Sequence, residues 1–131
     1  MLAKGTFEVK LTSQSEDKAE GCTLGRFLLE KLYFGELEAT SNGEMLSALS
    51  DVKGSAGYVA IERVSGTLHG KEGSFVLQHT GTMNRGAMEL LVKVVPDSGT
   101  GALTGLAGAM NIIIAGGKHS YEIEYSLGET S

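Results

Sequence analysis

Glu62 and His79 are the residues of this chain whose type and placement best suit chemistry. Both sit in runs where apolar and polar residues alternate, and their neighbours two positions away are apolar: Ala60 and Val64 around Glu62, Leu77 before His79. A carboxylate on the apolar face of a sheet needs a partner, because an unpaired buried charge is costly. Glu62 either pairs with His79, a tyrosine or water, or it keeps its proton and its pKa rises. Such a pair is an acid–base couple able to orient a ligand in a cavity. It is equally a hydrogen-bonded staple that fixes strand register. Tyr58, Tyr121 and Tyr125 offer apolar walls with one hydroxyl each, which suits an amphipathic small molecule and also suits plain core filling.

The elements that must position these groups are readable from Ser55 to Met83. Tyr58, Ala60, Glu62, Val64, Gly66 and Leu68 alternate with Val59, Ile61, Arg63, Ser65 and Thr67, the period of a strand. Phe75 to Thr80 follows with strand-type residues, and Gly70-Lys71-Glu72-Gly73 separates the two runs. A two-residue turn at Lys71-Glu72 makes Leu68 face Phe75, Gly66 face Leu77, Val64 face His79 and Glu62 face Gly81. Glu62 and His79 are then diagonal neighbours about 7–8 Å apart. The core face carries Tyr58, Ala60, Glu62, Val64, Leu68, Phe75, Leu77 and His79; Arg63, Ser65, Thr67, Ser74, Gln78 and Thr80 face away.

Further strands are expected at Lys4 to Thr12, Leu37 to Leu49, Ala87 to Pro96, Ala107 to Ala115 and His119 to Leu127. Leu24 to Phe34 is ambiguous, since Leu24, Phe27, Leu28 and Leu32 also meet the spacing of an amphipathic helix. Taken as a strand it brings the total to eight, the number whose closed barrel just holds side chains or one small ligand. Nineteen glycines and one proline punctuate these stretches as turns, bulges and bends.

Three segments, GTFEVK at Gly5 to Lys10, YVAIERVSGTLHGKEGSFVLQHTGTM at Tyr58 to Met83 and VVPDSGTGALTGLAG at Val94 to Gly108, together with the closing HSYEIEYSL, carry a resemblance that spans nearly the whole chain. The sequence resembles a bacterial family of small proteins known as a domain of unknown function, number 3224. That resemblance implies an all-β, eight-stranded antiparallel closed barrel similar in fold to plant allene oxide cyclase, and it favours the strand reading of Leu24 to Phe34. It implies no activity, since function lives in sites rather than folds. At Asp97 the chain departs from the family's pattern, which more often has glycine after the proline.

Composition bounds the remaining possibilities. The 131 residues, 41% of them apolar, suit one domain able to bury about two-thirds of its unfolded surface. Eleven Lys and Arg against sixteen Asp and Glu leave a charge of −5, which opposes nucleic acid and anionic membranes. The longest apolar run, Ile112 to Ala115, is far short of the roughly 18 residues of a membrane helix. No export signal stands at the start and Cys22 is alone, so a cytoplasmic protein is expected. Cys22 has no evident activating base. His69 and His119 flank turn glycines without ligand spacing, so they are expected to be solvated and no metal is expected. The GTGALTGLAG stretch lacks GK[ST] and the dinucleotide spacing; it reads as a tight connection whose threonines cap a short turn, and no cofactor is implied.

The leading expectation is a barrel that binds a small, mainly apolar or amphipathic molecule in its lumen, with Tyr58, Glu62, Leu77, His79, Tyr121 and Tyr125 around it and Glu62 and His79 as the acid–base candidates. An isomerase or cyclase acting on a lipid-like substrate is the alternative that the fold resemblance implies. A non-catalytic interaction module is a third. Leu28, Leu32 and Phe34 oppose Phe27, Leu29 and Tyr33, so one face of this strand needs cover, and a dimer or larger homo-oligomer is expected.

Overall fold

The computed structural model describes residues 1–128 as eight strands joined in sequence order: β1 Leu2–Ala19, β2 Cys22–Gly35, β3 Leu37–Ser50, β4 Ala56–Leu68, β5 Lys71–Asn84, β6 Ala87–Val94, β7 Leu106–Ala115 and β8 Lys118–Leu127. Each strand pairs antiparallel with the next, and β1 pairs with β8 to close the barrel. Closure leaves each strand of the ring a partner on both sides, which removes the open ends of a flat sheet. The ambiguous stretch Leu24 to Phe34 lies inside β2. Its inward residues Leu29 and Tyr33 are buried, while Leu24, Leu28, Leu32 and Phe34 point outward and are exposed. Apolar residues on both faces of one strand explain why the spacing also fits a helix.

The β4–β5 hairpin turns at His69-Gly70 and not at Lys71-Glu72. Leu68 pairs with Lys71, Gly66 with Gly73, Val64 with Phe75, Glu62 with Leu77 and Ala60 with His79. His69 and Gly70 adopt φ of 49° and 78°. Positive φ at both central residues gives a two-residue loop the twist of its strands, an advantage the Lys-Glu alternative lacks. The correction moves partners by four residues, an even number, so every side chain keeps its face. Glu62 and His79 remain diagonal neighbours.

The turn at Val95–Ser98 explains the departure at Asp97. Ser98 N–H donates to the Val95 carbonyl at 3.2 Å, and Asp97 has a φ of 62°. Proline followed by a residue of positive φ is the type II arrangement, where glycine is preferred and Asp is among the few tolerated alternatives. Beyond it, a single 3-10 turn at Gly101–Leu103 crosses one end of the barrel. Thr100 precedes that turn but does not cap it; its hydroxyl bonds Ser74 instead, at 2.6 Å to the Ser74 hydroxyl. The crossing drives Leu103 into the core beside Leu37, Leu68, Phe75, Leu77, Leu106 and Ile123.

The barrel therefore has a filled end and an open end. Strands β2 to β5 pair over nearly their full length. By contrast β6 and β7 share two residue pairs, Val92 with Met110 and Lys93 with Ala109, and β1 meets β8 only over Leu2 to Thr6. Past these seams the β7–β8 hairpin has no ladder pairs with β6 or β1 among the described residues, and His119 packs on Phe7 instead. Truncation at the filled end should be expensive: Leu77 is fully buried, and Leu77→Ala is expected to lower unfolding free energy by about 2–5 kcal/mol in urea titrations.

Candidate functional site

The floor of the open end is a group of buried polar side chains. Glu62, fully buried on β4, has three donors. Tyr33 donates its hydroxyl proton to Oε1 at 2.5 Å, Lys31 its ammonium to Oε2 at 2.8 Å, and His79 Nε2 lies 2.6 Å from Oε2. An ionised carboxylate only accepts, so the Nε2 proton belongs to His79. The other ring nitrogen, Nδ1, is 3.3 Å from the Tyr58 hydroxyl. Strand pairing places all five groups: β2 presents Lys31 and Tyr33 at alternate positions, β4 Tyr58 and Glu62, and β5 His79.

Burial alone would raise the Glu62 pKa. The His79 hydrogen bond and the Lys31 charge outweigh it and bring the carboxyl down to about 2. Burial, followed by the Glu62 charge, raises the phenols of Tyr33 and Tyr58, which therefore stay protonated and keep their donor capacity. The Lys31 ammonium also lies 5.0 Å from the Phe7 ring centroid and 5.6 Å from that of Tyr33, where the ring faces add attraction. Ser41, buried on β3 opposite Lys31, has a hydroxyl with no hydrogen-bond partner among the described residues.

Above this floor lies a cavity of about 380 Å³ with almost wholly apolar walls, among them Leu29, Met45, Ala60, Met83, Leu90 and Ile112. Tyr58, His79 and Lys31 reach its surface. Glu62 sits behind them as the direct partner of Lys31 and His79, and Tyr58 reaches it through His79. Leu77, Tyr121 and Tyr125 belong to the filled end: Tyr121 anchors the β2–β3 corner by accepting the Leu37 N–H at 2.9 Å and lying 2.9 Å from the Phe34 carbonyl.

Of the two remaining histidines, His69 is exposed at its turn as expected, whereas His119 is half-buried. His119 faces inward against Phe7, ring centroids 5.2 Å apart, and lines the cavity. His69 bonds the Tyr125 hydroxyl through Nδ1 and lies 3.0 Å from Glu36 through Nε2. It ties two hairpin turns to β8 at the filled end. Cys22 is half-buried at the start of β2. No three His, Cys, Asp or Glu side chains among the described residues group as a metal site, and no helix among them is long and apolar enough to cross a membrane.

Residues 3–125 match the family described as "Protein of unknown function (DUF3224)". The chain belongs to that family. A crystal structure of a DUF3224 protein of unknown function from Shewanella oneidensis MR-1 is 52% identical, with a TM-score of 0.94 over 99% of this chain and 98% of that one. No curated protein matches the chain. The DUF3224 assignment fixes the barrel and leaves the chemistry to the geometry above. In chemical terms, Glu62 orients His79, whose Nδ1 lies within hydrogen-bond reach of the Tyr58 hydroxyl at the cavity floor.

Lys31, Tyr33 and Ser41 are absent from the sequence-level candidates. Their signal is parity: if Phe27, Leu29 and Tyr33 face inward then Lys31 does too, and an inward lysine is a natural counter-charge for Glu62. The depressed Glu62 pKa gives a directional test. The carboxyl sits below its ordinary 4.5, so its contribution is complete above that pH and is lost as pH falls from about 4.5 towards 2. A shift from 4.5 to about 2 corresponds to about 3 kcal/mol. Thermal unfolding between pH 6 and pH 2 should therefore show a steeper loss in the native protein than in Glu62→Gln, which lacks this titration.

Proposed function

We propose that this DUF3224 barrel binds a small, mainly apolar molecule in its lumen, polar end on Tyr58 and His79 and apolar part against the methionine and leucine walls. One observation carries this reading: the lumen is packed shut at one end yet leaves about 380 Å³ open above a buried, fully partnered charge cluster. That volume lies in the range of small-ligand sites, and apolar walls with a few convergent polar groups are their usual lining. A barrel serving only as a scaffold gains nothing from burying Lys31, Glu62 and His79 beside such a cavity, since ion pairs in a core are often no better than apolar packing.

Nile red, an uncharged apolar dye, tests it. Its fluorescence should rise on adding the folded protein. Ser47, half-buried at the cavity wall, is a position where a large side chain fills the space with little disturbance. Ser47→Trp should weaken dye binding about tenfold or more, equivalent to about 1.4 kcal/mol, with the melting temperature nearly unchanged. Dye binding that is absent, or indifferent to Ser47→Trp, would remove the lumen as the site.

The outer face of β2 supports a second proposal, self-association. Leu24, Leu28, Leu32 and Phe34 are exposed there, and the patch continues through Leu46 on β3 to Val59 on β4, the strand partners of Arg26 and Leu46. A second copy is the occupant proposed, because one two-fold contact covers the same patch on both chains. Sedimentation at micromolar concentration should give a dimer or larger species, and Leu28→Glu should dissociate it; a native monomer would overturn the proposal.

A further inference from the structure

The hydrogen-bond chain that ends at the cavity has two directions, and the protonation of one ring nitrogen chooses between them. His79 Nε2–H is committed to Glu62, 2.6 Å away, because the carboxylate has no proton to give. With one ring proton, His79 offers a lone pair at Nδ1, so the Tyr58 hydroxyl donates to it and turns an oxygen lone pair to the cavity. With two ring protons, Nδ1–H donates to the Tyr58 oxygen instead, and the hydroxyl proton is released towards the lumen. The charge changes too. Lys31 and Glu62 cancel, so the floor is neutral in the first state and carries one positive charge in the second.

Resting on the lumen-binding reading, we propose that the cavity accepts an amphipath with an anionic head, such as a carboxylate or sulfonate on an apolar tail, and that it takes up one proton from solvent at His79 Nδ1 as it does so. The head then accepts the Tyr58 hydroxyl proton and neutralises the floor. An anion meeting the singly protonated ring faces a lone pair and no net countercharge in an apolar space, which is unfavourable. Uncharged heads have no such requirement.

The groups around His79 are few. Its strand partners are Ala60 on β4 and Val92 on β6, neither of which titrates. The ionisable groups turned towards it are Glu62 and Tyr58 from β4 and Lys31 and Tyr33 from β2, reached through Glu62; His119 from β8 lines the same cavity beside Phe7. Imidazole is the side-chain type that ordinarily gains a proton between pH 5 and 8. Among the described residues that line the cavity, His119 is the other imidazole and so the competing source of such a response.

1-Octanesulfonate, whose charge is fixed, and 1-octanol, which is uncharged, separate the possibilities when each is titrated calorimetrically into the full chain from pH 8 to pH 5.5. Octanesulfonate affinity should rise as pH falls, approaching about tenfold per pH unit where uptake is complete, and measurements in buffers of different ionisation heat should count up to one proton taken up. Octanol affinity should be flat. The octanesulfonate slope should persist in His119→Gln and vanish in His79→Gln, with Tyr58→Phe weakening the sulfonate more than the alcohol. Octanol bound together with a pH-independent or absent sulfonate response overturns the proton-linked inference alone. A slope lost in His119→Gln and kept in His79→Gln overturns the assignment to His79. Binding of neither probe overturns the lumen reading with it.

Discussion

A single carboxylate organises the middle of this barrel. Glu62 is removed from solvent and would be intolerable there alone, yet it receives a phenol, an ammonium and an imidazole from three directions. Those three donors come from β2 and β5, the strands on either side of the β3–β4 pair, so satisfying one side chain fixes the relative position of a large part of the wall. Apolar packing on the filled end is tolerant of exchange among residues of similar volume. The Glu62 group is not, because removing any donor leaves charge or polarity stranded in a dry place.

The molecule divides along its axis around that group. Below it, Leu103 and its neighbours pack the lumen solid; above it, the walls are apolar but have nothing to fill the space. Tyr58 and His79 stand at the boundary with one end in each environment. The filled end has its own chain of the same composition, Glu36 to His69 to Tyr125, but there it joins turns at the surface and ends on a phenol ring buried in the core. Two copies of one hydrogen-bonding pattern thus have different chemical prospects, decided by whether the terminal phenol meets open space.

Much of the architecture was legible because period-two alternation survives wherever one face of a strand is wet. Tyr58 to Leu68 announces its inward face plainly, and so Glu62 and His79 could be assigned to the interior with the wrong turn between them. Register was harder, since Gly70 both precedes Lys71-Glu72 and lies within the true turn; the deciding factor, positive φ at His69, is a tolerance of histidine that composition does not display. Lys31 was hidden for a different reason. With apolar residues on both sides of β2, parity has no polar reference, and a lone lysine reads as a surface residue. The division into a packed and an open end was not legible, because it depends on how the Gly101–Leu103 crossing seats Leu103.

The two-pair seam between β6 and β7 has a mechanical meaning. Most of the cylinder is a continuous ladder in which parting any strand breaks many hydrogen bonds together. At this line two residue pairs hold, and beyond them the β7–β8 hairpin meets β1 through side-chain packing, His119 on Phe7, and not through the ladder. Local openings draw on the least supported segments and need not involve the rest of the fold. The β6–β7 line is the least laddered part of the wall, whereas Glu62 and its donors are carried on β2, β4 and β5. The weakest line of the wall and the cluster that holds its middle together are thus different stretches of chain, so a change at one need not disturb the other.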